Sequence, residues 1–415
     1  MIYCSTVLMT IEYRPLRAED IEQASYVEAV AFYGKPTPER AALARQFFPP
    51  EWTVGAFVEG NLVADVRTVP MARRINGRPI GFGAVGPVAC LAGYRRQGHV
   101  GKLLRLALER MREQGQALSG LHTPHDALYA RYGWERGEGK KRYEFAPKDV
   151  RLRLQGAPGR LEAVANDDWQ RLDSIYRTWS APRNGPLHRV EPWWRENVLR
   201  HYGESAERVD NEAFVWMNSA GEDQGYVVYQ ANTLPKQDRW APHDIWVRDF
   251  VSLSGDAYLG LWQHLMTHDL ALRVVRECAP DDPFSDMVED PWKINVLRAE
   301  GAMIRVVDVE RAVGMRPYCG ERSVSFTMRI EDRTALWNEG VWRVEAAEGQ
   351  MRAERTEGEA DVELTANMLA PLFTGFMRPD VAAGAGLLKV HRAEAVAEMA
   401  EAFAVTYAPY SGDYY

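Results

Sequence analysis

Cysteine is scarce: there are four in 415 residues, Cys4, Cys90, Cys278 and Cys319. They are widely scattered with no CxxC pair, which excludes a disulfide framework and a thiolate zinc site. No apolar run approaches the roughly 20 residues that a bilayer span requires. There is no basic excess either. Lys+Arg total 50 against 58 Asp+Glu, a formal charge of −8, whereas non-specific nucleic-acid binding needs a basic footprint. An acidic balance suits a cationic substrate and equally serves solubility alone. The opening MIYCSTVLM is apolar, but it lacks a basic start and is too short for a secretory signal. Cys4 stands too near the start to follow a lipoprotein-type signal, and Met9 is an alternative start, since MTIEYRPLR reads as a first strand. The expectation is a cytoplasmic protein without membrane or nucleic-acid partners.

What is present is enough for packed cores: 46% hydrophobic and 26% charged residues. A chain of this length predicts two or three domains. The most informative stretch is 81–134. An apolar run, 85–91, leads into a basic glycine turn, YRRQGHVG, and then a helix. Val100, Leu103, Leu104, Ala107, Leu108 and Met111 fall at i, i+3, i+4, i+7, i+8 and i+11, which makes one buried stripe. Gly115 stops it. The turn aims free backbone N–H groups at one spot with Arg95 and Arg96 beside it, an arrangement that binds phosphate.

Along the chain, residues 9–147 read as strand, helix, strands, helix, strand and helix. Glu59-Gly60-Asn61 and Asn76-Gly77 serve as hairpin turns. Such an order predicts a central sheet flanked by helices. A second unit from about Arg151 reads as a helix (167–178), a Pro/Trp-rich loop, three strands and a helix (256–268). Its strand-to-helix junction carries no basic glycine turn; Ser254-Gly255-Asp256 reads as an ordinary N-cap. A third unit from about Ile304 begins with a linking helix, VVDVERAVGM. Val324, Phe326, Met328 and Ile330 alternate along a strand, and Met368, Leu369, Leu372 and Phe373 form one side of a helix. The chain ends in the aromatic tail TYAPYSGDYY.

YRRQGHVGKLL resembles the acetyl-coenzyme A loop of the GCN5-related N-acetyltransferases, Arg/Gln-x-x-Gly-x-Gly/Ala. Arg95 and Gly98 match, and Val100 stands where Gly or Ala is usual. Gly93 replaces a proline common before the arginines. The aliphatic Val100, the doubled arginine and LHTPHDALYARYGW are similar to the Eis (enhanced intracellular survival) group. The three-unit order resembles that group's plan. This implies an α/β (α+β) protein: tandem acetyltransferase-like domains, each a mixed central sheet with flanking helices, plus a sterol-carrier-like α+β domain. The boundaries expected are 1–148 (catalytic), 149–302 (degenerate) and 303–415.

The resemblance further implies acetyl-coenzyme A as co-substrate and no metal. Its pantetheine arm would lie on a splayed strand at Val88, Ala89 and Cys90. Pairing there is expected to begin only at Val88, because Pro87 lacks an N–H. The pyrophosphate would sit on the amides of Arg96, Gly98, His99, Val100 and Gly101, with Arg95 and Arg96 adding charge-assisted bonds. Tyr129 takes the position of the general acid that protonates the departing thiolate. By spacing alone, the Tyr129/Tyr132 pair reads as a core aromatic face. In Eis proteins the chain's own terminal carboxylate acts as base, which here belongs to Tyr415. Its unperturbed pKa near 3.5 makes it a weak base, but burial raises such a value and a bridging water relays the proton. Glu28 matches an acidic residue facing the amine pocket, although a solvated helix face fits equally; Phe32 and Tyr33 are candidates for the same pocket.

His122, His125 and Asp126 read as residues that orient or cap the Tyr129 helix rather than as metal ligands. The acidic run 281–286 reads as a surface loop without calcium-loop spacing, and Trp193-Trp194 as core or interface. The leading function is direct acetyl transfer to a primary amine of aminoglycoside, polyamine or lysine type, without a covalent cysteine. The competing function is a non-catalytic acyl-coenzyme A, lipid or small-molecule binding protein. Eis-like proteins form hexamers, so a homo-oligomer is expected by analogy.

Overall fold

The computed structural model describes residues 10–415 apart from 39, 40, 43, 44, 46–48, 166, 203–207 and 235–242. The opening 1–9, with Cys4 and Met9, lies outside the described residues. The first unit comprises β1 (Ile11–Pro15), α1 (Ile21–Ala31), β2 (Thr53–Val58), β3 (Asn61–Ile75), β4 (Arg78–Cys90), α2 (His99–Glu113), β5 (Leu118–Leu121), α3 (Asp126–Ala130) and β6 (Glu135–Arg136). Both hairpin turns form as expected. Glu59 and Gly60 have φ of 50° and 79°, and Asn76 and Gly77 have 45° and 84°, the paired positive values that suit a twisted two-residue hairpin. In α2 the stripe from Leu103 to Met111 is fully buried.

The order in this sheet is β1-β2-β3-β4-β5, then Met303–Val306, then β6. Residues 303–306 therefore correct the expected linking helix, which begins only at Val309 and ends at Met315. Ile304 pairs with Gly120 of β5 on one side and Glu135 on the other. A four-residue apolar run carries no periodicity that separates strand from helix. Conversely, the strand Gly139–Phe145 joins the second sheet, between Asn295–Glu300 and Ala271–Cys278. The chain thus crosses between the two sheets on both sides of the second unit.

In the second sheet His243–Ser252 runs parallel to Ala271–Cys278, and the helix Gly255–Leu265 follows the first of these strands. This repeats the β4-α2-β5 arrangement. The Ser254 side chain accepts the Ala257 N–H, as its N-cap reading expected. The acidic run is not simply a surface loop: the Asp282 carboxylate bonds Tyr258 (2.7 Å) and pairs with Arg276 (2.9 Å), and Phe284 is fully buried.

In the third unit, Val324, Phe326, Met328 and Ile330 all point inward from a five-stranded sheet. They share one apolar cluster with Met368, Leu369, Leu372 and Phe373, and with Ile80, Phe82 and Ala84 of β4. First and third units therefore have a common core. A buried ion pair, Arg305–Asp332 (2.6 Å), crosses the same boundary; such pairs fix geometry more than they add stability.

Candidate active site

The site follows from how β4 leaves its neighbour. β4 pairs in parallel with β5 only at Phe82, Gly83 and Ala84. Beyond Ala84 it stays bonded to β3 alone, with an irregularity where Val85 faces Thr68 and Val88 faces Val66. Gly86 and Pro87 occupy that irregularity, so Pro87 does not interrupt the strand, and pairing resumes at Val88 as expected. The β5-side edge of Val88, Ala89 and Cys90 is left as a wedge.

The basic turn lies at the end of this edge. Gly98, at φ 85°, is the α2 N-cap, and Arg96 adopts φ 63°. After the Arg95 N–H, which bonds Ala92 O, the next amide with a backbone acceptor is that of Lys102, on Gly98 O. The intervening amides, including those of Arg96, Gly98, His99, Val100 and Gly101, form the donor cluster that an anion needs. The two arginines differ. Arg95 donates to Cys90 O (3.1 Å) and Ala31 O (3.3 Å), which ties the turn to the end of α1, while Arg96 is exposed beside the free amides. His99 offers its amide only, because its ring is buried against Tyr13, whose hydroxyl is 2.8 Å from Nδ1. At Gly101 a Cβ would stand 2.3 Å from the Tyr132 hydroxyl, so a side chain there would displace the Tyr132 ring.

Val88, Cys90, Val100 and Tyr129 pack on one cluster, on the α2 side of the sheet. Burial raises the Cys90 thiol above its usual range, so it stays protonated. Burial likewise pushes the Tyr129 phenol up to about 12. The five-residue α3 is held from behind: Asn367 Nδ2 donates to Ala130 O (2.9 Å) and Trp134 O (3.1 Å). His125 stands at the α3 N-cap but gives it no side-chain cap, which leaves the orienting role of the two expected. Asp126 pairs with Arg136 at 2.6 Å.

On the opposite face, Glu28 from α1 bonds Arg67 of β3 and is not on a solvated face. Beside them sits Asp65, fully buried and cross-strand from Ala89, with neither carboxylate oxygen hydrogen-bonded. Burial first, and then the Glu28 charge, push the Asp65 carboxyl well above the usual range against the pull of Arg67. Asp65 and Arg67 escaped the sequence reading because strand alternation places them on a polar face, and α1 then covers that face. Phe32 and Tyr33 stand at the end of α1, 60% and 90% exposed, apart from this group.

The tail completes the picture. Asp413 accepts from Arg189 (2.9 Å) and from Trp193 Nε1 (2.7 Å). The Tyr410 N–H donates to Asn184 O (3.0 Å). Tyr414 stacks on His122 with ring centroids 4.4 Å apart. The Tyr415 ring stands edge-on to Phe82 (5.4 Å) and His122 (4.8 Å). Its hydroxyl lies beside the buried Arg73 guanidinium, within its electrostatic reach. The Tyr415 main-chain oxygen comes 3.9 Å from where a Gly86 Cβ would be. The chain therefore ends where β4 and β5 separate.

His122 lies under this tail. Burial lowers it from 6.5 to about 4, so it is neutral at pH 7. Between those values the unfolded chain binds a proton that the folded one refuses. Stability is full above pH 6.5 and is lost as pH falls toward 4, by on the order of 3 kcal/mol. Denaturant melts at pH 7 and 4.5 should show a shallower pH dependence for His122→Gln than for the natural protein; equal slopes would refute the assignment.

Comparison with known proteins agrees with this geometry. Acetyltransferase (GNAT) domain models match residues 12–137 and 185–306, and a sterol carrier protein domain model matches 309–412. An uncharacterised N-acetyltransferase of Streptomyces coelicolor is 25% identical over 97% of this chain and 99% of its own. N-acetyltransferase Eis of Mycobacterium tuberculosis is 23% identical over 88% of this chain and 90% of its own. In fold, the chain matches the solved structure of Eis1 from Mycobacterium abscessus with a TM-score of 0.79, at 22% identity, over 98% of this chain and 100% of the other. A probable N-acyltransferase from Enterococcus faecalis gives 0.86 at 20% identity, with the same two coverages.

Tandem acetyltransferase domains make this chain a member of the GCN5-related N-acetyltransferases. Within them it is an Eis-like acetyltransferase, with the sterol-carrier-like domain third in order. The reading as a non-catalytic binding protein gives way to that of an enzyme.

Proposed function

We propose that the chain transfers acetyl directly from acetyl-coenzyme A to a primary amine of aminoglycoside, polyamine or lysine type. Acetyl-coenzyme A supplies the acetyl group as an activated thioester. The amides of Arg96, Gly98, His99, Val100 and Gly101, with Arg96 alongside, hold its phosphates. The edge of Val88, Ala89 and Cys90 orients its arm and offers N–H groups to the oxygen on which charge develops. The Tyr129 phenol donates its proton to the departing sulfur. The Tyr415 terminal carboxylate takes a proton from the substrate ammonium, directly or through one water, and so frees the amine lone pair that attacks the thioester carbonyl. Glu28 faces the amine, and the exposed Phe32, at the end of α1, contacts the far part of the substrate.

The approach of the Tyr415 main-chain oxygen to Gly86 is the observation that carries this reading, since it supports a carboxylate base beside the wedge. Coenzyme A release measured against a panel of amines is the test. Tight acetyl-coenzyme A binding with no turnover of any amine would overturn it. Direct transfer also predicts that Cys90→Ala keeps kcat within about 3-fold, because its thiol is not the acyl carrier; trapping of an acetyl-cysteine on denaturation would contradict this. The family plan further supports units of 1–148, 149–302 and 303–415 in a cytoplasmic homo-hexamer, an assembly that sedimentation velocity tests.

A further inference from the structure

The second unit repeats the strand-helix-strand wedge, and at that place it encloses a cavity of about 400 Å³. The volume is within the range of small-molecule sites. Its walls include Trp179, Phe250 and Tyr258, and also Tyr407, Tyr410 and Gly412 of the C-terminal tail. Nothing in the first-unit chemistry uses this space.

The charges in the wall are unevenly matched. Every acidic side chain there has a partner. Asp249 accepts from Arg189 (2.5 Å) and Tyr226 (2.7 Å). Asp282 is held by Arg276 and Tyr258, Glu277 by Arg142 (2.7 Å), and Asp281 by the Ala408 N–H (3.1 Å). Two arginines of the wall have no side-chain hydrogen bond or ion pair among the described residues, although Arg183 feels the charges of Asp281 and Asp282 and Arg248 that of Glu277. The Arg183 guanidinium is sandwiched between the rings of Trp179 (4.4 Å) and Tyr407 (4.3 Å), with a buried Nε that bonds nothing. Arg248, on the exposed rim, makes no side-chain hydrogen bond or ion pair among the described residues. A guanidinium fixed between two rings keeps its in-plane donors free for a planar acceptor.

We propose that this cavity is a binding site for a small organic anion, a carboxylate carried on an aromatic or other flat apolar body. Arg183 and Arg248 meet the carboxylate and the aromatic wall takes the body. The neighbouring helix start argues against a coenzyme phosphate as occupant. At Gly255–Leu265 the Ser254 side chain already fills the Ala257 N–H, and Asp256 puts a negative charge in the first turn, where a phosphate would need open amides. The occupant would lie against the same tail whose last residue reaches Gly86. Arg189, also in the wall, holds Asp413 two residues from the end. Occupancy therefore orders the tail, a consequence that holds whether or not the terminal carboxylate is the base.

Calorimetric titration of the full chain with 2-naphthoate tests this, with 2-naphthylmethanol and coenzyme A as the comparison ligands. The expected result is one saturable 2-naphthoate site, at least 10-fold weaker binding of the neutral alcohol, and a site that coenzyme A does not block. Arg183→Gln and Arg248→Gln should each weaken 2-naphthoate about 10-fold while the acetyl-coenzyme A Kd is unchanged, which shows that each variant is folded. Carboxypeptidase release of Tyr415 should slow when 2-naphthoate is bound. Absence of a saturable site, equal binding of the alcohol, displacement by coenzyme A, arginine variants that bind normally or an unchanged release rate would each overturn the proposal.

Discussion

Extending the chain by Gly-Ser beyond Tyr415 is expected to lower kcat by on the order of 100- to 10,000-fold, the range for loss of a positioned proton acceptor. Two added residues carry the carboxylate up to roughly 7 Å from its present place, beyond direct reach of an amine in the wedge. The ring itself need not move, because Phe82 and His122 hold it and Asp413 is pinned by Arg189 and Trp193. The acetyl-coenzyme A Kd should therefore be unchanged, which separates proton transfer from binding. Deleting Tyr415 should cost as much activity and also lower Tm, because a partly buried aromatic ring packed against the common core is lost. Tyr415→Phe is the control. It keeps both ring and carboxylate and removes only a buried hydroxyl beside Arg73, away from the proposed proton transfer, so activity should stay within about 3-fold. Full activity in the extended chain would remove the terminal carboxylate from the mechanism.

The parts of this architecture that were legible in the sequence are those written in local code. The α2 stripe, the two Gly turns, the N-cap at Ser254 and the alternation from Val324 to Ile330 each follow from spacing within a dozen residues, and each stands where it was expected. The strand 303–306 was not legible, because its partners are some 170 to 190 residues away and four apolar residues carry no period. Asp65 and Arg67 were hidden for a related reason: alternation says which face a residue takes, but not what later covers that face. His122 was placed in the right loop with the wrong duty. It packs under Tyr414 and Tyr415 rather than capping α3, a contact between segments nearly 300 residues apart. The tail's aromatic content was legible, whereas the Arg189–Asp413 clamp that aims it was not.

Tyr129→Phe is expected to reduce kcat about 100-fold or more, with little change in the Kd for acetyl-coenzyme A. The substitution removes one oxygen from a side chain that packs against Val88, Cys90 and Val100, so shape and stability are conserved. What is lost, on the proposed mechanism, is the one acidic proton this residue would bring to the leaving sulfur. Burial pushes the phenol up to about 12, so it remains protonated through the physiological range, and its contribution fades only as pH approaches that value. In the natural protein, kcat should therefore show no Tyr129-dependent fall below about pH 10. In the variant, kcat should rise when the leaving thiol is made more acidic, because a better leaving group has less need of a proton. A thioester of a low-pKa thiol compared with acetyl-coenzyme A supplies that measurement. If both substrates suffer equally, Tyr129 positions α3 and the β4 edge rather than acting as the acid. If turnover is unchanged, it is the core aromatic that its spacing alone suggested.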